Sequence, residues 1–214
     1  MGKQLLILDC DSTLTSIEGV DELARLKGEA VFQASEALTN QAMDGEVAVE
    51  DVFGKRLQLI QPSLEHCLRV GESYIEEVEP TALELVRAAR EAGWDLIILS
   101  GGFTKVIEPL ARYLGIDHIE AVPLFFNIDG SYNGFDETYP TTRSGGKPEI
   151  INELKEDLKP QRIVMVGDGV SDLETQEYVD RFVGFGRFMA RDRVKLKARY
   201  FVESLSAVIP LLDF

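Results

Sequence analysis

A short apolar run near the start of the chain, residues 4–8 (QLLIL), is followed at once by two aspartates, Asp9 and Asp11. A run of this length between polar residues is typical of a buried strand in a parallel sheet. Ligands of open α/β sheets bind beyond the carboxyl ends of the strands. Two carboxylates at such a strand end are costly unless a cation or a shared proton compensates their charges. The pattern therefore predicts a nucleophile, an acid–base partner and a metal site in one loop.

Three further apolar runs predict strands that alternate with helices. The predicted strands are 95–99, 162–166 and 181–185, and the helical stretches that precede them are 81–92, 148–156 and 172–178. Strands that alternate with helices indicate βαβ units and a parallel sheet. We therefore expect an α/β fold of the Rossmann-like kind, with a parallel sheet flanked by helices.

The stretch between Thr13 and the helix near Thr81 is much longer than a βαβ crossover, which takes about 30 residues. It contains four amphipathic patterns that predict helices at 19–28, 29–42, 49–60 and 63–72. We expect an α/β core formed by 1–15 and 78–214, and a small inserted helical-bundle cap at 16–77. Such a cap can exclude water from a site beside the first strand. Alternating aromatic and apolar residues around Asp129-Gly130 predict a β-hairpin within 124–138.

Charge and composition narrow the classes of partner. The formal net charge is −15, which argues against nucleic-acid or anionic-membrane partners, and no apolar stretch approaches the length of a membrane span. Cys10 and Cys67 lack metal-ligand spacing, so we expect a reduced, cytoplasmic protein in which Cys10 packs rather than reacts. A small-molecule substrate and a monomer or homodimer are expected. The basic residues between 187 and 199 favour a solvated helix face over a nucleic-acid patch.

Four elements at the ends of the predicted strands and helices converge on one sheet edge. They are Asp9/Asp11/Thr13, Ser100-Gly101-Gly102, Lys147 and Asp168/Asp172. Taken singly, the serine–glycine run could be a helix N-cap, Lys147 a solvated lysine, and Asp168 and Asp172 a cap and a surface acid. Taken together, they indicate phosphoryl transfer.

Phosphoryl transfer explains why these residue types occur together. A carboxylate that attacks a phosphate dianion is repelled by it, and Mg²⁺ bound by Asp9, Asp168 and the Asp11 carbonyl would remove that repulsion. Lys147 would add a positive charge, and Ser100 with the Gly101 N–H would bind phosphate oxygens at a helix N-terminus. The Asp11 side chain would protonate the leaving alkoxide and deprotonate the attacking water.

Four motifs resemble those of the haloacid dehalogenase-type phosphohydrolases: DCDST at 9–13, SGG at 100–102, Lys147, and GDGVSD at 167–172. The resemblance covers essentially the whole chain. Segments such as DCDSTLTSIEGVDELA, KRLQLIQP and GFDETYPTTRSGGK narrow it to the members that hydrolyse phosphoserine in the last step of serine biosynthesis, particularly the animal and plant forms.

The resemblance implies a role for each matching residue. Asp9 would be the nucleophile that forms an aspartyl-phosphate, and Asp11 the general acid and base. Mg²⁺ would bind to Asp9, the Asp11 carbonyl and Asp168. The implied phosphate-binding residues are Ser100, Gly101 and Lys147, and the implied supporting residues are Thr13, Gly102, Ser171 and Asp172. In the cap, Glu18 would bind the substrate ammonium, Arg56 its carboxylate, and Met43 would line the pocket.

Alternatives remain open at this point. Glu18 could be an ordinary acid in the first turn of a helix, and Arg56 could pair with Glu50 or Asp51 on its own helix. The chain departs from the family pattern at Asp44 and Val49, which concerns the shape of the pocket. It also departs at Ser171, where the family has Asn or Thr and a hydroxyl can make the same contact. A related phosphatase for another small phosphomonoester, and a receiver-type signalling domain, are the two rival functions.

Overall fold

The computed structural model describes residues 2–43 and 49–213, with side chains described for 2–41 and 52–213. Within these residues, six strands form one parallel sheet in the order β3-β2-β1-β6-β7-β8. The strands are β1 (Gln4–Leu8), β2 (Trp94–Phe103), β3 (His118–Val122), β6 (Arg162–Gly167), β7 (Arg181–Phe185) and β8 (Tyr200–Val202). The predicted parallel sheet is therefore confirmed.

The first strand is central because it pairs with β2 on one side and β6 on the other. Leu8 lies in register with Ile98 and with Val166. Side chains of successive strand residues point to opposite faces, so Leu6 and Leu8 enter one apolar cluster while Leu5 and Ile7 enter the other. Burying a side chain of this size stabilises the fold by about 1.5–3 kcal/mol. The loop after Leu8 therefore begins at a buried strand that is paired on both sides.

Helices cover both faces of the sheet. They are α5 (Ala82–Glu91), α6 (Thr104–Leu114), α7 (Gly146–Leu158), the single-turn α8 (Val170–Leu173) and α9 (Asp192–Lys197). The α/β architecture is the predicted one. Cys10 is fully buried in the apolar cluster around Leu6, in agreement with a packing role.

Four helices lie in the inserted stretch: α1 (Gly19–Leu26), α2 (Glu29–Met43), α3 (Val49–Ile60) and α4 (Leu64–Glu76). Backbone pairing of Thr15 with Val78, in antiparallel orientation, brings the two ends of this stretch together. The predicted cap boundaries, 16 and 77, fall directly inside that pair and stay our proposal for the domain division.

The fourth inserted helix, α4, packs closely on α6. A Cβ atom on Gly71 would lie 2.7 Å from the carbonyl oxygen of Val106, so only glycine permits this approach. Val70 and Tyr74 on α4 belong to the same apolar cluster as Leu6. The inserted helices and the sheet therefore share one apolar core.

The predicted hairpin is present as β4 (Leu124–Phe126) and β5 (Tyr132–Phe135). Gly130 in its turn has a φ of +80°, a conformation that glycine adopts without strain. Phe53 of α3 contacts Phe135 of the hairpin, with ring centroids 5.4 Å apart, and Phe103 of β2 at 5.7 Å. These contacts bring α3 against the carboxyl edge of the sheet.

Some elements differ from the predictions. The stretch predicted as a helix at 172–178 is the single turn α8 followed by a 3-10 turn at Glu174–Glu177. The basic run does not form one long solvated helix face, because α9 spans only Asp192–Lys197 and Arg191, which precedes it, contacts Asp168. Across 2–43 and 49–213, no helix combines the length and hydropathy needed to cross a bilayer.

Candidate active site

Three aspartates, one after β1, one after β6 and one in α8, meet at the carboxyl edge of the sheet. Asp9 follows β1 directly, and its N–H donates to the carbonyl of Val166 on β6 at 2.9 Å. Asp168 follows β6, and Asp172 lies in α8. The three side chains are buried, and carboxylate oxygens of all three lie within 4.8 Å of one another. Parallel strand ends therefore bring together the carboxylates that the sequence placed at one edge.

Lys147, from the first turn of α7, lies inside this acidic group. Its Nζ donates to Oδ1 of Asp9 at 2.7 Å and to Oδ1 of Asp172 at 2.5 Å. Only 5% of its side chain is exposed, so it is not the solvated lysine of the alternative interpretation. The N–H of Gly169 holds the other oxygen of Asp172 at 2.8 Å. The carboxylate of Asp172 thus accepts hydrogen bonds from Lys147 and Gly169, and the ammonium of Lys147 donates to two carboxylates.

The electrostatics of the group favour a further cation. Burial, and then the neighbouring charge of Asp172, raise the pKa of Asp9 well above its usual value. The same two causes raise the pKa of Asp168 to about 6. Burial acts to lower the pKa of Lys147, yet the charges of Asp172 and Asp9 hold it above its usual value. The pKa values of Asp9 and Asp168 therefore stay raised although Lys147 and Arg191 lie beside them.

The donor chemistry fits a hard divalent ion. Mg²⁺ prefers carboxylate, carbonyl and water oxygens, and the group supplies carboxylate oxygens from Asp9, Asp168 and Asp172. The sequence assigned the metal to Asp9, Asp168 and the carbonyl of Asp11, with Asp172 in support. All of these assignments stay predictions; the side chain of Asp172 lies in the same cluster as those of Asp9 and Asp168.

Asp11 lies between the acidic group and the inserted helices. Its Oδ2 accepts from the Gly19 N–H at 3.1 Å, and its Oδ1 accepts from the hydroxyl of Tyr74. Burial, and then the charge of Glu18, raise the pKa of Asp11 to about 7. A carboxyl group with this pKa can exist in both protonation states near neutral pH, which general acid–base catalysis requires.

Glu18 is connected to the acidic group through Arg191. The hydroxyl of Ser12 donates to Oε1 of Glu18 at 2.7 Å, and Nη2 of Arg191 lies 3.7 Å from the same oxygen. The Nε of Arg191 donates to Oδ2 of Asp168 at 2.9 Å. The hydroxyl of Thr13 donates to the other oxygen of Asp168 at 3.3 Å. Arg191 therefore links an acid of the inserted stretch to an acid of the sheet edge.

The serine–glycine motif lies at the end of β2. Ser100 is buried, and its Oγ accepts from the Gly102 N–H at 2.9 Å. The helix that follows begins at Thr104, with Phe103 as its N-cap, so the prediction that Ser100 and Gly101 lie at a helix N-terminus is wrong by a few residues. A Cβ atom on Gly102 would lie 3.5 Å from Oδ2 of Asp11. The motif therefore lies beside Asp11.

A cleft of about 640 Å³ lies next to these groups. Its lining includes Arg56 and Phe53 from α3, Val170 and Ser171 from α8, and the loop 141–144. Of the predicted site residues, the substrate-binding Arg56 and the supporting Ser171 are thus on its wall. Met43, Asp44 and Val49 lie outside the residues whose side chains are described.

Arg56 is held by side chains of other helices. Its Nη2 donates to Oδ1 of Asp21 at 2.5 Å, and its Nε donates to the hydroxyl of Ser35 at 2.8 Å. Only 17% of the Arg56 side chain is exposed. The guanidinium is therefore oriented at the cleft wall before any substrate arrives.

A family model described as haloacid dehalogenase-like hydrolase matches residues 3–179. The chain belongs to this family. The resemblance indicated by the four motifs is thus confirmed. A curated relative, the phosphoserine phosphatase of Bos taurus, is 39% identical over 207 residues, which cover 96% of this chain and 91% of the relative. The chloroplastic phosphoserine phosphatase of Arabidopsis thaliana is 33% identical, with 98% and 72% covered.

The solved structures agree with the family and the fold. A phosphoserine phosphohydrolase-like protein from Francisella tularensis superimposes with a TM-score of 0.84 at 26% identity. The alignment covers 99% of this chain and all of that one. The likeness in fold therefore includes the described helices of the inserted stretch as well as the sheet.

Sequence reasoning missed Arg191 and Tyr74. The run 187–199 is rich in basic residues, which favours a solvated face, yet Arg191 precedes the first turn of α9 and donates to Asp168. Tyr74 lies two residues beyond the predicted end of the fourth inserted helix, and no local pattern marks its contact with a carboxylate 63 residues earlier. Only the tertiary structure shows either contact.

Proposed function

We propose that this protein is a Mg²⁺-dependent phosphoserine phosphatase, which hydrolyses O-phosphoserine to serine and phosphate. The observation that carries the proposal is the buried group at the sheet edge, in which Lys147 bridges Asp9 and Asp172 and Asp168 completes the acidic cluster. The similarity to curated phosphoserine phosphatases over nearly the full chain supports the choice of substrate.

Asp9 is the nucleophile in this proposal. Lys147 holds Oδ1 of Asp9, so we assign the attack on phosphorus to Oδ2. The bond from phosphorus to the seryl oxygen breaks, Asp11 gives its proton to that oxygen, and serine leaves. A water molecule then attacks the phosphorus of the aspartyl-phosphate and gives a proton to Asp11. The bond between phosphorus and Asp9 breaks, so that the Asp9 carboxylate is restored and phosphate is released.

The cation site serves this chemistry by position and charge. Asp9, Asp168 and the Asp11 carbonyl would hold Mg²⁺, with Asp172 orienting the group. When bound, the ion supplies positive charge that offsets repulsion between the carboxylate and the phosphate. Arg191 and Thr13 hold Asp168 in place, and Lys147 adds a further charge.

Phosphate oxygens bind, in this proposal, to the Ser100 hydroxyl, the Gly101 N–H and the Lys147 ammonium. Lys147 already lies 2.7 Å from the nucleophile, so a phosphoryl group in position for attack is within its reach. Donors fixed before reaction stabilise developing charge without reorganisation. Gly102 at the end of β2 and Ser171 in α8 support this position.

Glu18 and Arg56 form the proposed recognition pair for the ammonium and the carboxylate of phosphoserine. Arg56 is on the cleft wall, oriented by Asp21 and Ser35. Glu18 has an acceptor oxygen held by Ser12 and lies near the nucleophile loop. Met43 would line the pocket. Ionised hydrogen bonds of this kind are roughly twice as strong as neutral ones.

The test is phosphate release from a panel of phosphomonoesters, with and without Mg²⁺, by the purified protein and its Asp9→Asn variant. We expect phosphoserine to be the best substrate, Mg²⁺ to be required, and Asp9→Asn to be inactive. The melting temperature of Asp9→Asn should stay within a few degrees, because Asp172 still compensates the charge of Lys147. Asp95→Asn, a change at an exposed acid that pairs with Lys3, is the matched control and should be fully active. Repeated turnover by Asp9→Asn would contradict the covalent mechanism.

A related phosphatase for another small phosphomonoester is the second candidate. It is favoured by the engagement of Arg56 with Asp21, because a substrate carboxylate must share or replace that contact. Equal or better turnover of a phosphate that lacks the amino acid group would select it. Membership of a hydrolase family argues against the receiver-type alternative.

The proposal also covers the partners and the compartment. A small molecule is the substrate, the net charge of −15 argues against nucleic acid, and the protein acts in the cytoplasm as a monomer or homodimer. Light scattering of the purified protein distinguishes the two oligomeric states.

A further inference from the structure

A tyrosine of the inserted helices contacts the proposed acid–base residue. Tyr74 lies in the last turn of α4 and is fully buried, and its hydroxyl donates to Oδ1 of Asp11. The second oxygen, Oδ2, accepts from the Gly19 N–H at the start of α1. Both donors belong to the inserted stretch, so the side chain of Asp11 is oriented from outside the sheet.

Two glycines make room for this contact. Gly71 allows α4 to approach α6, because a Cβ atom there would lie 2.7 Å from the Val106 carbonyl. A Cβ atom on Gly19 would lie 2.1 Å from the Tyr74 hydroxyl. A side chain at either position would move Tyr74 away from Asp11, so the sequence around the tyrosine is suited to this geometry.

The two oxygens of Asp11 face different surroundings. Oδ2 lies on the side of Gly102, 3.5 Å from the position of a Cβ there, and therefore faces the proposed phosphate-binding loop. Oδ1 accepts from the hydroxyl of Tyr74, a residue of the shared apolar core. A buried tyrosine hydroxyl needs a hydrogen-bond partner, and Asp11 provides it.

We propose that Tyr74 is a positioning residue that anchors Asp11 through Oδ1 and so keeps Oδ2 directed at the leaving-group oxygen. The proposal rests on the function proposed above. Tyr74 touches neither substrate nor metal in this scheme and acts only through Asp11. Replacing Tyr74 should therefore slow the substrates whose leaving group needs a proton, and should leave substrate binding unchanged.

Leaving-group chemistry separates this role from a merely structural one. The seryl oxygen leaves as a strongly basic alkoxide unless it is protonated, so its departure depends on a well-placed acid. The nitrophenolate of p-nitrophenyl phosphate is a weak base and leaves without that help. A variant with a misplaced Asp11 should lose activity on the first substrate and keep it on the second.

The experiment compares kcat/KM for phosphoserine and p-nitrophenyl phosphate in the wild type and in Tyr74→Phe, which keeps the buried ring. We expect a fall of about tenfold for phosphoserine, a fraction of the ~10²–10⁴-fold that general acid–base catalysis contributes, and a change of less than about twofold for the aryl ester. KM for phosphoserine should stay close to that of the wild type. Tyr113→Phe, at an exposed tyrosine of α6, is the matched control and should leave both values unchanged.

A second variant tests the contact without deleting the hydroxyl. Gly19→Ala places a methyl group where the Tyr74 hydroxyl lies and should reduce phosphoserine turnover by a similar factor. In the Gly19→Ala/Tyr74→Phe double variant the methyl group has more room, so the combined loss should be close to that of Tyr74→Phe alone. Such non-additivity is the signature of two residues that act through one contact.

Equal losses on both substrates, or no loss on phosphoserine by a folded Tyr74→Phe protein, would overturn the inference. Losses that multiply in the double variant would also overturn it. A different result would refute the proposed function, namely no turnover of phosphoserine by the wild type.

Discussion

The Nζ of Lys147 lies 2.7 Å from Oδ1 of Asp9 although 138 residues separate the two in the chain. The contact joins the start of α7 to the end of β1 in a region where neither side chain reaches water freely. A buried pair of this kind is costly to break, because the partner left behind stays buried with an uncompensated charge.

Replacing Lys147 should therefore destabilise the metal-free protein strongly. Lys147→Ala leaves Asp9 and Asp172 without their shared cation, and the loss in the free energy of unfolding should be ~3–5 kcal/mol. Chemical denaturation without divalent ions measures it, and Lys155→Ala, at an exposed lysine of the same helix, serves as the control. Mg²⁺ should restore part of the lost stability. A loss below about 1 kcal/mol would show that the acidic group does not depend on the lysine.

Stability and Mg²⁺ should be linked through pH. The pKa values of Asp9, Asp11 and Asp168 are raised in the fold, the latter two to about 7 and about 6. Unfolded aspartates titrate near 4, so the unfolded chain loses these protons first. The metal-free protein should thus lose stability as pH rises from about 4 to about 7.

Mg²⁺ competes with the retained protons, so the rise in melting temperature on adding it should be larger at pH 7.5 than at pH 5.5. Thermal unfolding at both pH values, with Mg²⁺ or with a chelator, measures the difference. Asp168→Asn should abolish most of the increment. An increment that is the same at both pH values would contradict the assignment of these acids to the cation site.

Specificity should depend on the pair Glu18 and Arg56. Glu18→Ala and Arg56→Ala should each reduce kcat/KM for phosphoserine by about ten- to a hundredfold, because each removes a charge-assisted contact of roughly 1.5–3 kcal/mol. Turnover of a plain alkyl phosphate should change far less. Arg25→Ala, at an arginine of α1 that pairs with Glu22, is the control. Equal damage to both substrates would make the two residues structural.

Arg191 should support the cation site through Asp168. Residues that hydrogen-bond a metal ligand typically contribute about 10–100-fold in metal affinity, and Arg191 donates to Asp168 at 2.9 Å. Arg191→Ala should weaken Mg²⁺ binding by about tenfold in titration calorimetry, while Lys197→Ala in the same basic run should not. Unchanged affinity in Arg191→Ala would mean that the contact is incidental.

Local sequence patterns predicted the elements whose apolar content is dense. The strands at 4–8, 162–166 and 181–185 appear within a residue of the predicted bounds, because their side chains are buried on both faces. β3 was missed because its burial is partial and it carries His118 and Glu120. β8 was missed because an edge strand of three residues gives too little pattern. The helix α6 was not predicted, and it contains Pro109, a residue that normally argues against a helix interior.

In the site, too, the residues at the ends of strands and helices could be predicted from the sequence, and the contacts that depend on helix packing could not. The positions of Asp9, Lys147, Asp168 and Asp172 followed from where strands and helices begin and end, and the structure brings these residues together. The links formed by Tyr74 and Arg191 depend on how helices pack, and packing distances are not encoded in the spacing of residues along the chain.

The pairing of Thr15 with Val78 also bears on how the length of the inserted stretch affects the sheet. The two residues hold the ends of the intervening segment side by side, so that segment is a closed loop inserted into the rest of the chain. The entropy of closing a loop grows only with the logarithm of its length, by about 0.6 kcal/mol for each doubling. A change in the length of that segment therefore adds little loop-closure entropy to the folding of the sheet. The packing of Gly71 on α6, and the contacts of Gly19 and Tyr74 with Asp11, confine such changes to the parts of the segment that do not support the site.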